Sequence, residues 1–102
     1  MANLTQEIKV ELKKLVYDFF SEECEVELEK LNDQTTLMED LDGDSLLFVE
    51  LVELMKKKYC LNIQLQTVGK FLLKNPAETI GQVIEMSFLI YEHENDIVNL
   101  GQ

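Results

Sequence analysis

The sequence predicts an all-α fold: a small bundle of three main helices plus one short helix, with a long loop between the first two. Three observations carry this. Apolar residues recur at three-and-four spacing in three separate segments, the spacing that lines one face of a helix. The only alternating stretch, residues 61–65, is short and has no second strand to pair with. At 102 residues the chain suffices for one core and not for two.

The first helix runs from Leu4 to about Phe20, with Leu4, Ile8, Leu12, Leu15, Val16, Phe19 and Phe20 on one face and Asn3 or Thr5 placed to cap it. Residues 21–43 lose the period and keep only isolated apolar anchors at Val26, Leu28, Leu31, Leu37 and Leu41 among acids and the turn-prone "LNDQTT". That is the long loop. The period returns in "SLLFVELVELMKKKY", for which Asp44 is a ready N-cap. Turning 100° per residue puts Leu47, Phe48, Leu51, Val52, Leu54 and Met55 on a core stripe. Leu46, Val49, Glu50, Glu53 and Lys57 fall opposite, which strands Leu46 and Val49 on a polar face. Further along, "TVGKFLLK" reads as a short helical turn starting at Thr67. The last helix lies in "NPAETIGQVIEMSFLIYEHE", with Pro76 near its first turn and Ile80, Val83, Ile84, Phe88 and Tyr91 as its buried face. Residues 1–93 form the expected domain and residues 94–102 a C-terminal extension.

Composition sets the class of partner. Hydrophobic residues at 46%, one Pro and four Gly argue for a folded chain. The formal net charge of −11 repels nucleic-acid phosphates and anionic lipid, so no nucleic acid is expected and protein partners should be basic. Between positions 22 and 44, ten acids are offset only by Lys30. No apolar run approaches the ~20 residues that span a bilayer, so membrane insertion is not expected. Cys24 and Cys60 fit neither a CxxC pair nor a zinc spacing, and "MANLTQEIK" lacks the apolar core of a leader. A cytoplasmic monomer with reduced thiols is the expectation.

Chemistry concentrates in "MEDLDGDSLLFVEL". Asp40, Asp42 and Asp44 mimic the first ligands of an EF-hand loop, but Ser45 stands where that loop needs glycine and Leu51 where it needs a bidentate Glu. No metal site is therefore expected. A hydrolytic serine fares no better: "GDSLL" lacks the second glycine of a nucleophile elbow, and the only histidine, His93, sits in the polar tail. What remains is a serine at a helix start, either an ordinary first-turn residue or one where free N–H groups and the positive dipole end tolerate an attached phosphate that the neighbouring acids oppose.

At these residues the chain resembles the acyl carrier proteins and the wider carrier domains of polyketide and nonribosomal peptide assembly. The resemblance is carried by "TTLMEDLDGDSL", with Leu37, Asp40 and Leu41 leading into Asp44, Ser45 and Leu46, then by Val49 to Val52, Tyr59 and Ile63. It runs from Leu4 to about Tyr91. It implies an acyl-carrier-protein-like bundle that catalyses nothing itself. Ser45 is then the residue to which a phosphopantetheinyl transferase attaches phosphopantetheine, drawn from coenzyme A with a magnesium ion. The arm ends in a thiol that carries an acyl group as a thioester. Acyl-loading and acyl-using enzymes with basic docking surfaces are the implied partners. They would recognise Asp44, Leu46, Val49, Glu50 and Glu53, an apolar spot ringed by acid. An aminoacyl or peptidyl carrier shares the arm, and an unmodified acidic adaptor shares the charge; both readings stay open. Departures from common fatty-acid carriers are Asp42 in place of a glycine, the Lys56-Lys57-Lys58 run, a longer segment from Gln64 to Asn75, and the tail "ENDIVNLGQ".

Overall fold

A computed structural model describes residues 4–37 and 45–94, excepting the side chains of Ser45 and Leu46. Four α-helices follow in order: α1 Gln6–Glu23, α2 Ser45–Tyr59, α3 Leu65–Lys74 and α4 Ile80–His93. One 3-10 turn, Leu28–Lys30, interrupts the first loop. The predicted all-α bundle with a long first loop is the fold observed, and among the described residues no strand forms.

Helix α1 starts where Thr5 Oγ1 accepts the Ile8 N–H at 3.2 Å, satisfying one of the free donors of the first turn. Leu12, Val16, Phe19 and Phe20 are its buried face. The helix continues three residues beyond Phe20. It stops at Glu25, whose φ of 55° turns the chain into the left-handed region. The Val26 N–H then reaches back to the Ser21 carbonyl at 3.0 Å, a bond that closes a helix end. Periodicity was blind to Ser21-Glu22-Glu23 because all three lie off the buried face.

Helices α2 and α4 supply most of the remaining core, joined by Val68 and Phe71 of α3. Leu51, Val52 and Met55 of α2 are fully buried, with Leu47 and Phe48 packed at their edge. Helix α4 buries Ile80, Val83, Ile84, Met86, Ser87, Ile90 and Tyr91. Phe88, expected in that face, is only half-buried and lies under Lys9, 6.0 Å from the ring centroid. Ser87 is tolerated inside because its hydroxyl donates to the Ile84 carbonyl at 2.6 Å. Tyr59, at the end of α2, joins three helices. Its hydroxyl donates to Glu11 of α1 at 2.9 Å, and its ring meets Tyr91 of α4 edge-on with centroids 5.1 Å apart. Burial, then the bond and charge of Glu11 and the neighbouring Tyr91, push the Tyr59 phenol well above its ordinary value.

Two helix starts differ from expectation. The third is a ten-residue helix that begins at Leu65, not a short turn from Thr67. The alternation of residues 61–65 is real but makes no strand: Leu61 and Ile63 insert into the core, and the extended backbone at Gln64 then feeds the helix. The last helix begins at Ile80 rather than beside Pro76. A capping box decides the position: Thr79 Oγ1 accepts the Gln82 N–H, and Gln82 Oε1 accepts the Thr79 N–H, both at 3.2 Å.

The residues before that box are used to hold the long loop. Leu37 N–H donates to the Glu78 carbonyl at 2.9 Å, Ile80 N–H to Thr35 at 3.0 Å, and Gly81 N–H to Asp33 at 2.9 Å. A single antiparallel bridge pairs Thr36 with Thr79. Glycine eases this approach, since a Cβ at Gly81 would sit 3.0 Å from the Asp33 carbonyl oxygen, tighter than an ordinary contact. Leu31 and Leu37 are buried anchors and Val26 a partial one. Leu28 is not an anchor: the 3-10 turn leaves it 49% exposed, because that tight turn faces solvent. Leu41 lies outside the described residues.

Tyr17 secures the loop from the α1 side by donating its hydroxyl to the Asp33 carboxylate. Burial first, then that bond and the carboxylate's charge, push its phenol up to about 12. The fold therefore favours the neutral phenol, and its stabilisation is intact below the unfolded value of about 10 and lost as pH rises toward about 12. Urea midpoints measured across that window should fall for the wild type and fall less steeply for Tyr17→Phe. Some slope persists in the variant because Tyr59 titrates in the same sense.

Both cysteines are free thiols, Cys24 half-buried and Cys60 exposed. Burial, helped by Glu23, holds the Cys24 thiol above its ordinary value and so protonated near neutral pH.

Candidate functional site

Ser45 is the first residue of α2, a fifteen-residue helix. Its position follows from the sequence change at that point, where the acidic, apolar-poor loop gives way to continuous helix formers. The first-turn N–H groups of such a helix have no intrahelical acceptor, and α2 carries no acidic residue in its first turn. Lys56, Lys57 and Lys58 occupy the last turn, where positive charge complements the negative dipole end. The helix is polarised along its axis by both features.

Asp44, predicted as cap and recognition residue, lies outside the described residues, as do Asp40, Asp42 and the side chain of Leu46. The other expected recognition residues are on the outer face of α2. Val49 is 39% exposed, Glu50 is exposed and Glu53 is half-buried. One assignment to the core stripe is corrected. Leu54 is 40% exposed, because it stands at the edge of the stripe next to Glu50 and faces the space beside α1.

That space is an open groove of about 560 Å³ lined by Leu15, Asp18, Phe19, Glu22, Glu23, Glu50 and Leu54. From the sequence alone, α1 reads only as a core helix. The signal that α1 joins the acidic surface is the four-residue repeat of Asp18 and Glu22, which places both carboxyls on one flank beside Leu15 and Phe19. Among the described residues, Asp18 alone of these acids has a cation, Lys14 at 3.0 Å. Glu22 and Glu23 stand at the carbonyl end of α1, where negative charge opposes the dipole.

Among the described residues, no group of three or more His, Cys, Asp or Glu converges on a metal position, and no helix is long and apolar enough to cross a membrane. The sequence pattern of a family described as "Phosphopantetheine attachment site" matches residues 14–86. An acyl carrier protein homolog of Clostridium acetobutylicum is 61% identical over 102 residues, covering 100% of this chain and 99% of that protein. This chain belongs to the acyl carrier protein family. Among solved structures, none matches it.

Members of this family are carriers rather than enzymes, and their domain is one for covalent attachment of phosphopantetheine. The residues of this carrier fit that group. A phosphoester needs a hydroxyl, and Ser45 carries one at the start of α2, where the first-turn amides have no intrahelical acceptor. The matched region spans just over half of α1, the loop, α2, α3 and half of α4.

Proposed function

We propose that this chain is a cytoplasmic acyl carrier protein whose phosphopantetheine is attached at Ser45. The observation that carries the reading is that Ser45 opens α2 with no acidic residue in its turn, within a family-matched region. When attached, the arm supplies a terminal thiol that holds an acyl group as a thioester. The chain's own residues do the rest. Ser45 Oγ provides the ester oxygen, and the free amides of the first turn stabilise the adjoining phosphate charge. Val49 and Glu50, exposed on the same helix, with Asp44, Leu46 and Glu53, form the surface read by the phosphopantetheinyl transferase and by acyl-loading and acyl-using enzymes. Basic residues around an apolar notch are the matching surface on those enzymes. Residues 1–93 are the carrier domain in this reading, supported by the end of α4 at His93.

The experiment is modification in vitro. The full chain is incubated with coenzyme A, magnesium and a broad-specificity phosphopantetheinyl transferase, and intact masses are measured. One phosphopantetheine is expected on wild type and none on Ser45→Ala. No addition to wild type, or equal addition to both, would overturn the assignment.

A further inference from the structure

The acidity of this carrier is not uniform. From Leu54 to Ala77 there is no Asp or Glu, and five of the chain's nine lysines lie there. Helix α3 sits inside this stretch and carries Lys70 and Lys74 with no acid. Among the described residues neither lysine makes an ion pair. Lys74 stands in the last turn of α3, where its charge complements the helix dipole, while Lys70, in mid-helix, has no such role.

The outward face of α3 has two further features that the fold does not need. Leu73 is 86% exposed, far more than any other large apolar residue described. Leu65, Gly69 and Leu73 follow at four-residue intervals, so they form one ridge along the helix, with Lys70 and Lys74 on its flank. Gly69 is a gap in that ridge. A Cβ there would meet nothing within 4 Å, and its φ is not in the left-handed region. Glycine inside an exposed helix destabilises it relative to alanine. At Gly81 the close approach of Asp33 explains the glycine; at Gly69 nothing among the described residues does.

An exposed leucine, a glycine that weakens its helix, and two unpaired lysines on one face share one explanation, contact from outside. The notch at Gly69 lets a second helix approach closely between Leu65 and Leu73, as ridges pack into grooves. The lysines alongside require acid on the incoming surface. We infer that α3 is a second docking surface, and that its occupant is an acidic amphipathic helix of a protein partner. This is opposite in sign to the surface around Val49 and Glu50, so the two recruit different partners. The inference does not depend on where the arm is attached.

The test is an NMR titration of the full, isotope-labelled chain with two synthetic helical peptides. Both carry one leucine stripe; one is flanked by glutamates and the other by lysines. The glutamate peptide should shift the amides of Leu65, Gly69, Lys70, Leu73 and Lys74, more weakly as salt is raised. The lysine peptide should leave them unmoved. Leu73→Asp, and separately Lys70→Glu, should weaken the glutamate peptide at least tenfold. Gly69→Gln fills the notch and should weaken it similarly while raising the melting temperature, a combination that misfolding does not produce. Ser45 modification is measured on Leu73→Asp and should be unchanged, which keeps failure at α3 separate from failure at Ser45. No response of α3 to the glutamate peptide, or a response centred elsewhere, overturns the inference. So does an α3 response to phosphatidylglycerol vesicles without one to the peptide, which would make the occupant a lipid surface. Concentration-dependent α3 shifts with no peptide present would overturn it in favour of a second copy of the chain.

Discussion

Phe20→Ala is expected to destabilise the carrier by about 3–5 kcal/mol, the usual cost of deleting a fully buried ring. Phe20 has no exposed surface and is the largest fully buried side chain among the described residues. Its ring meets Phe19 edge-on, centroids 5.3 Å apart at 82°, so truncation loses that contact as well as the transfer energy. A domain of this length has roughly 5–15 kcal/mol in total. The variant should therefore unfold at much lower urea, and at the low end of that range it is substantially unfolded at room temperature. Urea denaturation followed by helix content measures the effect. Phe20→Leu, which refills most of the volume, should restore the greater part of it; equal midpoints for wild type and Phe20→Ala would show that the site collapses without cost.

Gly81→Val should have the second largest effect, and a localised one. The first added carbon meets the Asp33 carbonyl oxygen at 3.0 Å and the Asp33 Cβ at 3.1 Å, and the branch adds two more carbons in the same space. Overpacking of this kind costs about 1–3 kcal/mol, and the small helix-propensity gain of replacing glycine does not offset it. Backbone must yield, and the loop is the part able to. Hydrogen exchange at Leu37 and Ile80, whose amides bridge loop and α4, should accelerate more than exchange at the buried turns of α1. A global acceleration with no excess at these amides would count against the loop as the yielding element. Because the loop leads toward Ser45, the same variant should slow Ser45 modification more than its loss of stability alone accounts for.

Much of this architecture was legible beforehand, for identifiable reasons. The α1 face and the centre of the α2 stripe were readable because the 3.6-residue period directly encodes which side meets the core. Thr5 was readable as a cap because its hydroxyl can replace a missing backbone acceptor. Boundaries set by competition between local signals were not. Pro76 fits a helix start, but the reciprocal Thr79–Gln82 bonds satisfy more donors and win. Leu54 lies at the edge of a stripe, where a few degrees of helix rotation decide between core and groove. At the candidate site, Ser45 as the start of α2 and the outward Val49 and Glu50 followed from one helix alone. The contribution of Asp18, Glu22 and Glu23 did not, because it depends on how α1 and α2 stand beside each other. Periodicity has no access to that arrangement.

The meeting of three helices at Tyr59 also gives the molecule a built-in optical probe. The chain has no Trp and three Tyr, so its near-ultraviolet signal comes from very few chromophores. Two of them, Tyr59 and Tyr91, are the edge-on pair that links α2 to α4, and the Tyr59 hydroxyl reaches α1. Near-ultraviolet circular dichroism of the unmodified, unlabelled protein thus reports the register of the helices against one another, while far-ultraviolet signal reports only that they exist.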